Sequence, residues 1–229
     1  MSPPPDVLGQ ALWAIGSAFC HQIPERSLSL GGYQLPVCAR DLGTYLGFFI
    51  MSSFFFITRR YRRVELPDRP MLALAIVGVA LFLFDALSSY LGFRGTDNAL
   101  RLGSGLAFGA AVSMLLLNVA SVQLFHGKER TATFTWRDGL LLYPMLALIG
   151  VALLTVDDAA LYYPVAVIAE IGLMVVLFLT AATLLSLLVP RLGLAKGRMT
   201  LILLSMGLVI AIIAILLLLR TFTSFPFAD

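Results

Sequence analysis

Apolar runs long enough to cross a membrane recur along the whole of this chain, and nothing else in it limits the fold so strongly. A helix needs roughly 20 residues to span about 30 Å of hydrocarbon. Runs of that order cover residues 42–58, 70–92, 99–125, 139–156, 161–189 and 199–220, and a shorter one covers 7–19. Inside hydrocarbon every backbone N–H and C=O must be bonded within the protein, so these runs are read as helices. Only 13% of the residues are charged, whereas a soluble domain carries about 25% to cover its surface. Layered soluble architectures are thereby excluded. The expectation is an all-α, polytopic transmembrane helical bundle of about 6 to 7 membrane segments, with residues 1–229 forming a single integral membrane domain. The chain opens M-S-P-P-P-D with no basic-then-apolar leader, so the first apolar stretch is expected to be retained.

The net charge of +3 does not point to nucleic acid, because the cations sit in short clusters beside apolar runs. One cluster is Arg59, Arg60, Arg62, Arg63 and Arg69; a second is Lys128, Arg130 and Arg137; a third is Arg191, Lys196 and Arg198. All three fall on the same side of the bundle, which the positive-inside rule makes cytoplasmic. The expected location is therefore the cell membrane, multi-pass, with residues 20–41 in an extracytoplasmic loop. Residues 94–101, Asp157 and Asp158 share that side. Membrane lipids are the expected partners, with other membrane-protein subunits as the alternative.

Residues 20–41 hold both cysteines, one of the two histidines and several charges in an otherwise hydrocarbon-rich chain. The pattern C-H-Q-x-P-E-R-S, followed by G-Y-Q-x-P-V-C-A-R and G-x-Y-x-G, resembles the DUF2085 family of predicted multi-pass membrane proteins. A second patch carries the resemblance further: Asp85, then T-D-N-A-L-R at 96–101, then Gly105 and Gly109. The likeness covers roughly the first half of the chain and implies a membrane protein without implying an activity. In relatives the second cysteine typically opens a C-x-R-C unit, where this chain has Cys38-Ala39-Arg40-Asp41.

Three readings compete for this segment. In the first, Cys20, His21, Cys38 and Asp41 ligate a divalent metal such as zinc, for which thiolate, imidazole and carboxylate are all competent. Adjacent Cys20 and His21 can share one ion only if the backbone is not helical there, and Pro24 makes such a break plausible. In the second, Cys20 and Cys38 form a disulfide, closing a loop of about 18 residues for roughly 3 kcal/mol on the chain-entropy model. In the third, Arg26, Arg40, Asn98 and Arg101 hold a small anion, since arginine forks bind carboxylates and phosphates in pairs of hydrogen bonds. Against that stands the commoner use of such arginines, pairing with Glu25, Asp41 or Asp97.

Two carboxylates fall inside apolar runs, Asp85 and Glu170, each at a cost of at least about 2.5 kcal/mol unless compensated. They are candidate general acids or bases, cation ligands, or partners of Arg40 and Arg101. Asn118, Ser121 and Gln123 are expected to hydrogen-bond between helices, and Gly103, Gly105 and Gly109, which include a small-x-x-x-small spacing, to mark a close helix contact. No Walker loop, G-x-S-x-G elbow or H-E-x-x-H occurs. The leading functional expectation is a non-enzymatic or accessory membrane protein whose Cys/His/Asp/Arg site binds a metal ion or small anionic ligand. The alternatives are a membrane enzyme acting on a lipid-phase substrate, and a transporter or structural subunit of a larger complex.

Overall fold

The computed structural model describes residues 2–188 and 197–222. Among the described residues seven α-helices follow one another: α1 (Val7–Ser17), α2 (Ala39–Ile57), α3 (Arg69–Tyr90), α4 (Asn98–Gln123), α5 (Trp136–Thr155), α6 (Tyr162–Leu188) and α7 (Gly197–Phe222). Five of them, α3 to α7, are long and apolar enough to cross a membrane. Helix α2 has 19 residues, about 28 Å at 1.5 Å per residue, and Arg40 and Asp41 in its first turn, with Thr44, Ser52 and Ser53, dilute its apolar character. Helix α1 has 11 residues and rises about 16 Å, roughly half the hydrocarbon thickness. It does not cross by itself.

Helices α2 and α4 form the centre, and glycines set how closely they meet. A Cβ on Gly105 would lie 2.2 Å from the carbonyl oxygen of Arg40, and one on Gly109 2.1 Å from that of Thr44. The approach is reciprocal, with Gly43 and Gly47 against the α4 backbone at 2.3 Å and 2.5 Å from the Leu102 and Leu106 carbonyl oxygens. Small residues spaced by four on both helices let the backbones touch, as membrane helices do where hydrophobic burial cannot drive association. Around this seam Leu42, Phe48, Met51, Leu102, Met114 and Leu117 are fully buried. Helices α3 and α7 turn large apolar side chains outward, among them Ile76, Phe84, Leu203 and Ile210. Those faces meet lipid.

The bundle has two dissimilar ends. At one, β3 (Arg63–Glu65) pairs in parallel with β4 (Glu129–Ala132), and Arg60 forms a buried 2.6 Å ion pair with Asp138. Asp138 also completes the capping box that starts α5 at Thr135. The Asn118 amide donates to the Glu65 carbonyl at 2.8 Å, and the Ser121 hydroxyl returns to Leu117 of its own helix. Of the three polar residues expected to bridge helices, only Gln123 does so, accepting from Ser186 of α6. The extended segment at Glu65 offered Asn118 an open carbonyl nearer than any neighbouring helix. Arg191, Lys196 and the side chain of Arg198 lie outside the described residues.

At the other end, β1 (Ser27–Leu30) and β2 (Tyr33–Cys38) make an antiparallel hairpin over the bundle. Its Gly31-Gly32 turn has φ of +58° and +82°. Gly31 sits so close to Ala159 that a Cβ there would fall 2.3 Å from the alanine Cβ, and its amide donates to Asp157 at 2.6 Å. Leu30, Leu35 and Val37 are fully buried beneath the strands. The hairpin thus seals the end where the second cysteine enters α2.

Candidate functional site: a thiol and carboxylate pocket beside an arginine network

The chain leaves α1 after Ser17 and does not regain helical geometry before Pro24. Gln22 adopts a left-handed φ of +55°, uncommon for a residue with a side chain. Its amide donates to the carbonyls of Trp13 at 2.8 Å and Pro36 at 2.9 Å, while Gln34 donates to the Gln22 carbonyl at 2.8 Å. These bonds pin the reversal. The helix has thus ended well before the proline, and the chain reverses at Gln22. Arg220 near the end of α7 adds donors to the carbonyls of Ser17 and Cys20, where a cation suits the end of a helix.

This backbone buries Cys20 and turns His21 outward. The Cys20 sulfur accepts the Cys38 amide at 3.1 Å, and the Cys38 thiol donates to Asp41 Oδ2 at 3.2 Å. Ligand atoms of Cys20, Cys38 and Asp41 all lie within 4.8 Å of one another. The structure therefore brings together three of the four residues expected at a metal, and His21 is not among them. Both thiols are free. Cys38 is the N-cap of α2 and Asp41 lies in its first turn, where the helix dipole favours anions. The Cys38 side chain beside it holds Cys20 below the ordinary cysteine range, and the nearness of Cys20, burial and the Asp41 charge push Cys38 up.

Asp85 of α3 is the hub of the adjoining network. Arg40 donates to its Oδ2 from Nε at 3.2 Å and Nη2 at 2.6 Å, and Ser104 reaches the same oxygen at 3.3 Å. Its Oδ1 accepts from Arg94 at 2.8 Å and Thr96 at 2.7 Å. Both oxygens are saturated, so this carboxylate has a positioning geometry with no free lone pair aimed at a substrate. Arg101 donates to Asn98 at 3.2 Å, and Asn98 donates to the Ser27 carbonyl at 3.2 Å, tying α4 to the hairpin. Arg26 and Arg40 each stand within electrostatic reach of Arg101. Arg26 makes no ion pair among the described residues. Thr96 opens the T-D-N-A-L-R motif and Arg94 lies two residues before it, but neither was expected to reach Asp85.

Glu170 of α6 is in a different setting. It is 5% exposed, and neither oxygen has a hydrogen-bond partner among the described residues. Tyr45, one turn beyond Asp41 on α2, lies within electrostatic reach of both the pocket and Glu170.

Fold and site together define a helical multi-pass membrane protein with a thiol, carboxylate and arginine constellation at one end. The family described as "Predicted membrane protein (DUF2085)" matches residues 20–115, which include every one of those pocket and network residues. An uncharacterized protein of Methanothermobacter thermautotrophicus is 35% identical over 97 residues, covering 42% of this chain and 82% of the relative. An uncharacterized protein of Methanocaldococcus jannaschii is 29% identical over 108 residues, covering 47% of this chain and 67% of the relative. The chain belongs to the DUF2085 family. No solved structure matches it.

Proposed function

We propose that this membrane protein binds a thiophilic divalent cation, zinc foremost, through Cys20, Cys38 and Asp41, in a non-enzymatic or accessory role on the extracytoplasmic side. The observation that carries the reading is the convergence of two thiols and a carboxylate, their ligand atoms within 4.8 Å of one another. A tetrahedral zinc with Zn–S near 2.3 Å needs sulfurs about 3.8 Å apart, a closure that side-chain rotation supplies. Replacement of a thiol by Asp41 keeps an anionic ligand in the set. Three protein ligands leave a fourth position for an exogenous ligand, and Arg26, Arg40 and Arg101 favour an anionic one there. Membrane sidedness follows from the basic clusters at the opposite end.

Elemental analysis of detergent-purified protein tests this. Wild type is expected to carry stoichiometric metal, Cys20→Ser, Cys38→Ser and Asp41→Ala to lose it, and His21→Ala to keep it. Metal-free wild type with an intact Cys20–Cys38 disulfide by mass spectrometry would overturn the proposal. That second reading draws on the same closeness, since the Cys38 amide already touches the Cys20 sulfur at 3.1 Å and an oxidising compartment permits the bond.

A further inference from the structure

Glu170 is one of the residues lining a cleft of about 680 Å³ between α1, α6 and α7, walled by Leu12, Met174, Phe178, Met206 and Val209, and its carboxylate oxygens lie buried just behind that apolar surface, where a side-chain rotation brings them to the cleft. That volume is in the range of small-molecule sites, roughly 300 to 1,000 Å³. Apart from Glu170 its lining side chains are hydrocarbon or thioether. No described donor satisfies either oxygen. Of the described basic groups at this end, Arg40 and Arg94 sit on Asp85, Arg101 on Asn98 and Arg220 on the carbonyls of Ser17 and Cys20, and none reaches the Glu170 oxygens. Tyr45 and Tyr162, the titratable neighbours within electrostatic reach of Glu170, bring no positive charge.

We propose that this cleft binds an amphipathic organic cation from the lipid phase, with Glu170 as its counter-ion. An intramembrane carboxylate is costly unless a partner compensates it, and here the partner charge is missing from the described protein while space for its carrier is present. Apolar walls suit an alkyl or aryl body. Phe178 adds an aromatic side chain to the wall that receives the apolar body, and the flexible thioethers of Met174 and Met206 adapt to varied shapes. A bare metal ion fits poorly, because hard cations require several oxygen ligands and the lining supplies one carboxylate. Rim residues Leu8, Ile171 and Ile210 are exposed on the lipid-facing surface, so a ligand enters sideways from the membrane. Glu170 lies eight residues into α6, about 12 Å along its axis. The cleft falls outside residues 20–115 and stands independently of the proposed metal pocket.

The test is saturable binding of radiolabelled tetraphenylphosphonium to the full chain in lipid nanodiscs. Wild type is expected to bind, and Glu170→Gln to lose about tenfold or more in affinity, as the loss of a charge-assisted contact requires. Val209→Trp, which fills the cleft while keeping the carboxylate, is expected to abolish binding, and Gly103→Ala on α4, which does not line the cleft, to leave it unchanged. Should Glu170→Gln fail to fold, Glu170→Asp and Val209→Trp decide. Folded wild type that does not bind, equal affinity in wild type and Glu170→Gln, or equal competition by neutral tetraphenylmethane would each overturn the proposal.

Discussion

Arg40 donates from two nitrogens to one oxygen of Asp85, at 3.2 Å and 2.6 Å, so that the first turn of α2 is locked to α3. The residue after Arg40 is Asp41, a member of the thiol pocket. Through this adjacency the ion pair fixes where the carboxylate of the pocket stands. The carboxylate inside α3 thus serves the pocket without entering it.

Replacing Asp85 by Asn strips the charge from a group 5% exposed while leaving two arginines facing it. Breaking a buried pair from one side costs about 3–5 kcal/mol, and partial exposure of Arg40 and Arg94 lowers the expectation to about 2–3 kcal/mol. Thermal unfolding in detergent should show a clear drop for Asp85→Asn and a small one for Arg94→Ala, whose side chain is 37% exposed. Equal melting of wild type and Asp85→Asn would remove the network from the list of what holds this end together.

The α2–α4 seam makes a sharper demand. A Cβ at Gly109 would overlap the Thr44 carbonyl at 2.1 Å, whereas one at Gly103 meets nothing within 4 Å. Gly109→Val is expected to force the central helices apart and destabilise by more than about 3 kcal/mol, the upper end of overpacking costs. Gly103→Ala should be neutral or slightly stabilising, since alanine is the better helix former. Yield and melting temperature of the two variants in one detergent compare them directly.

Much of this arrangement was legible in the sequence. Long apolar runs located the five helices long and apolar enough to cross, and α2 beside them, because lipid permits little else, and the Gly105/Gly109 spacing marked a close contact. Its partner face, Gly43 and Gly47, sat within the G-x-Y-x-G pattern, but no single-helix pattern says which helix it will touch. Residues 27–38 read as loop, although Leu28 and Leu30 alternate with serines before a Gly-Gly turn; four-residue strands are easily lost between helices. Arg40 was an expected partner for Asp85 and became one. Arg101 instead bonded Asn98 in its own first turn, a nearer acceptor than a carboxylate on another helix. The left-handed Gln22 was hidden because its conformation is imposed by the carbonyls of Trp13 and Pro36, contacts made across the fold.

Asp6 carries a pH dependence whose sign is fixed. It caps α1 and accepts the Tyr163 hydroxyl of α6, which holds its carboxyl below the ordinary 3.8. A carboxyl depressed on folding contributes its full stabilisation above the unfolded value and loses it as pH falls through the folded one. Docking of α1 should therefore survive at pH 3.8 and fail only below it. Removing the hydroxyl in Tyr163→Phe should move the loss upward toward the ordinary carboxyl value. Trp13 fluorescence of α1, followed against pH in both proteins, reads the shift; coincident curves would show that the contact does not hold the helix.

Orientation yields the last expectation. The hairpin and the β3–β4 pair lie at opposite ends of the bundle, and the cationic clusters 59–69 and 128–137 lie with β3–β4. Lys and Arg near helix ends are retained on the cytoplasmic side during insertion, which sends Tyr33 at the hairpin outward. In a background with Cys20 and Cys38 replaced by Ser, Tyr33→Cys should react with a membrane-impermeant maleimide in intact cells. Lys128→Cys should react only after the membrane is opened. The reverse pattern would place the thiol pocket in the cytoplasm, where reducing conditions argue against a disulfide and a zinc ligand set would remain chemically sound.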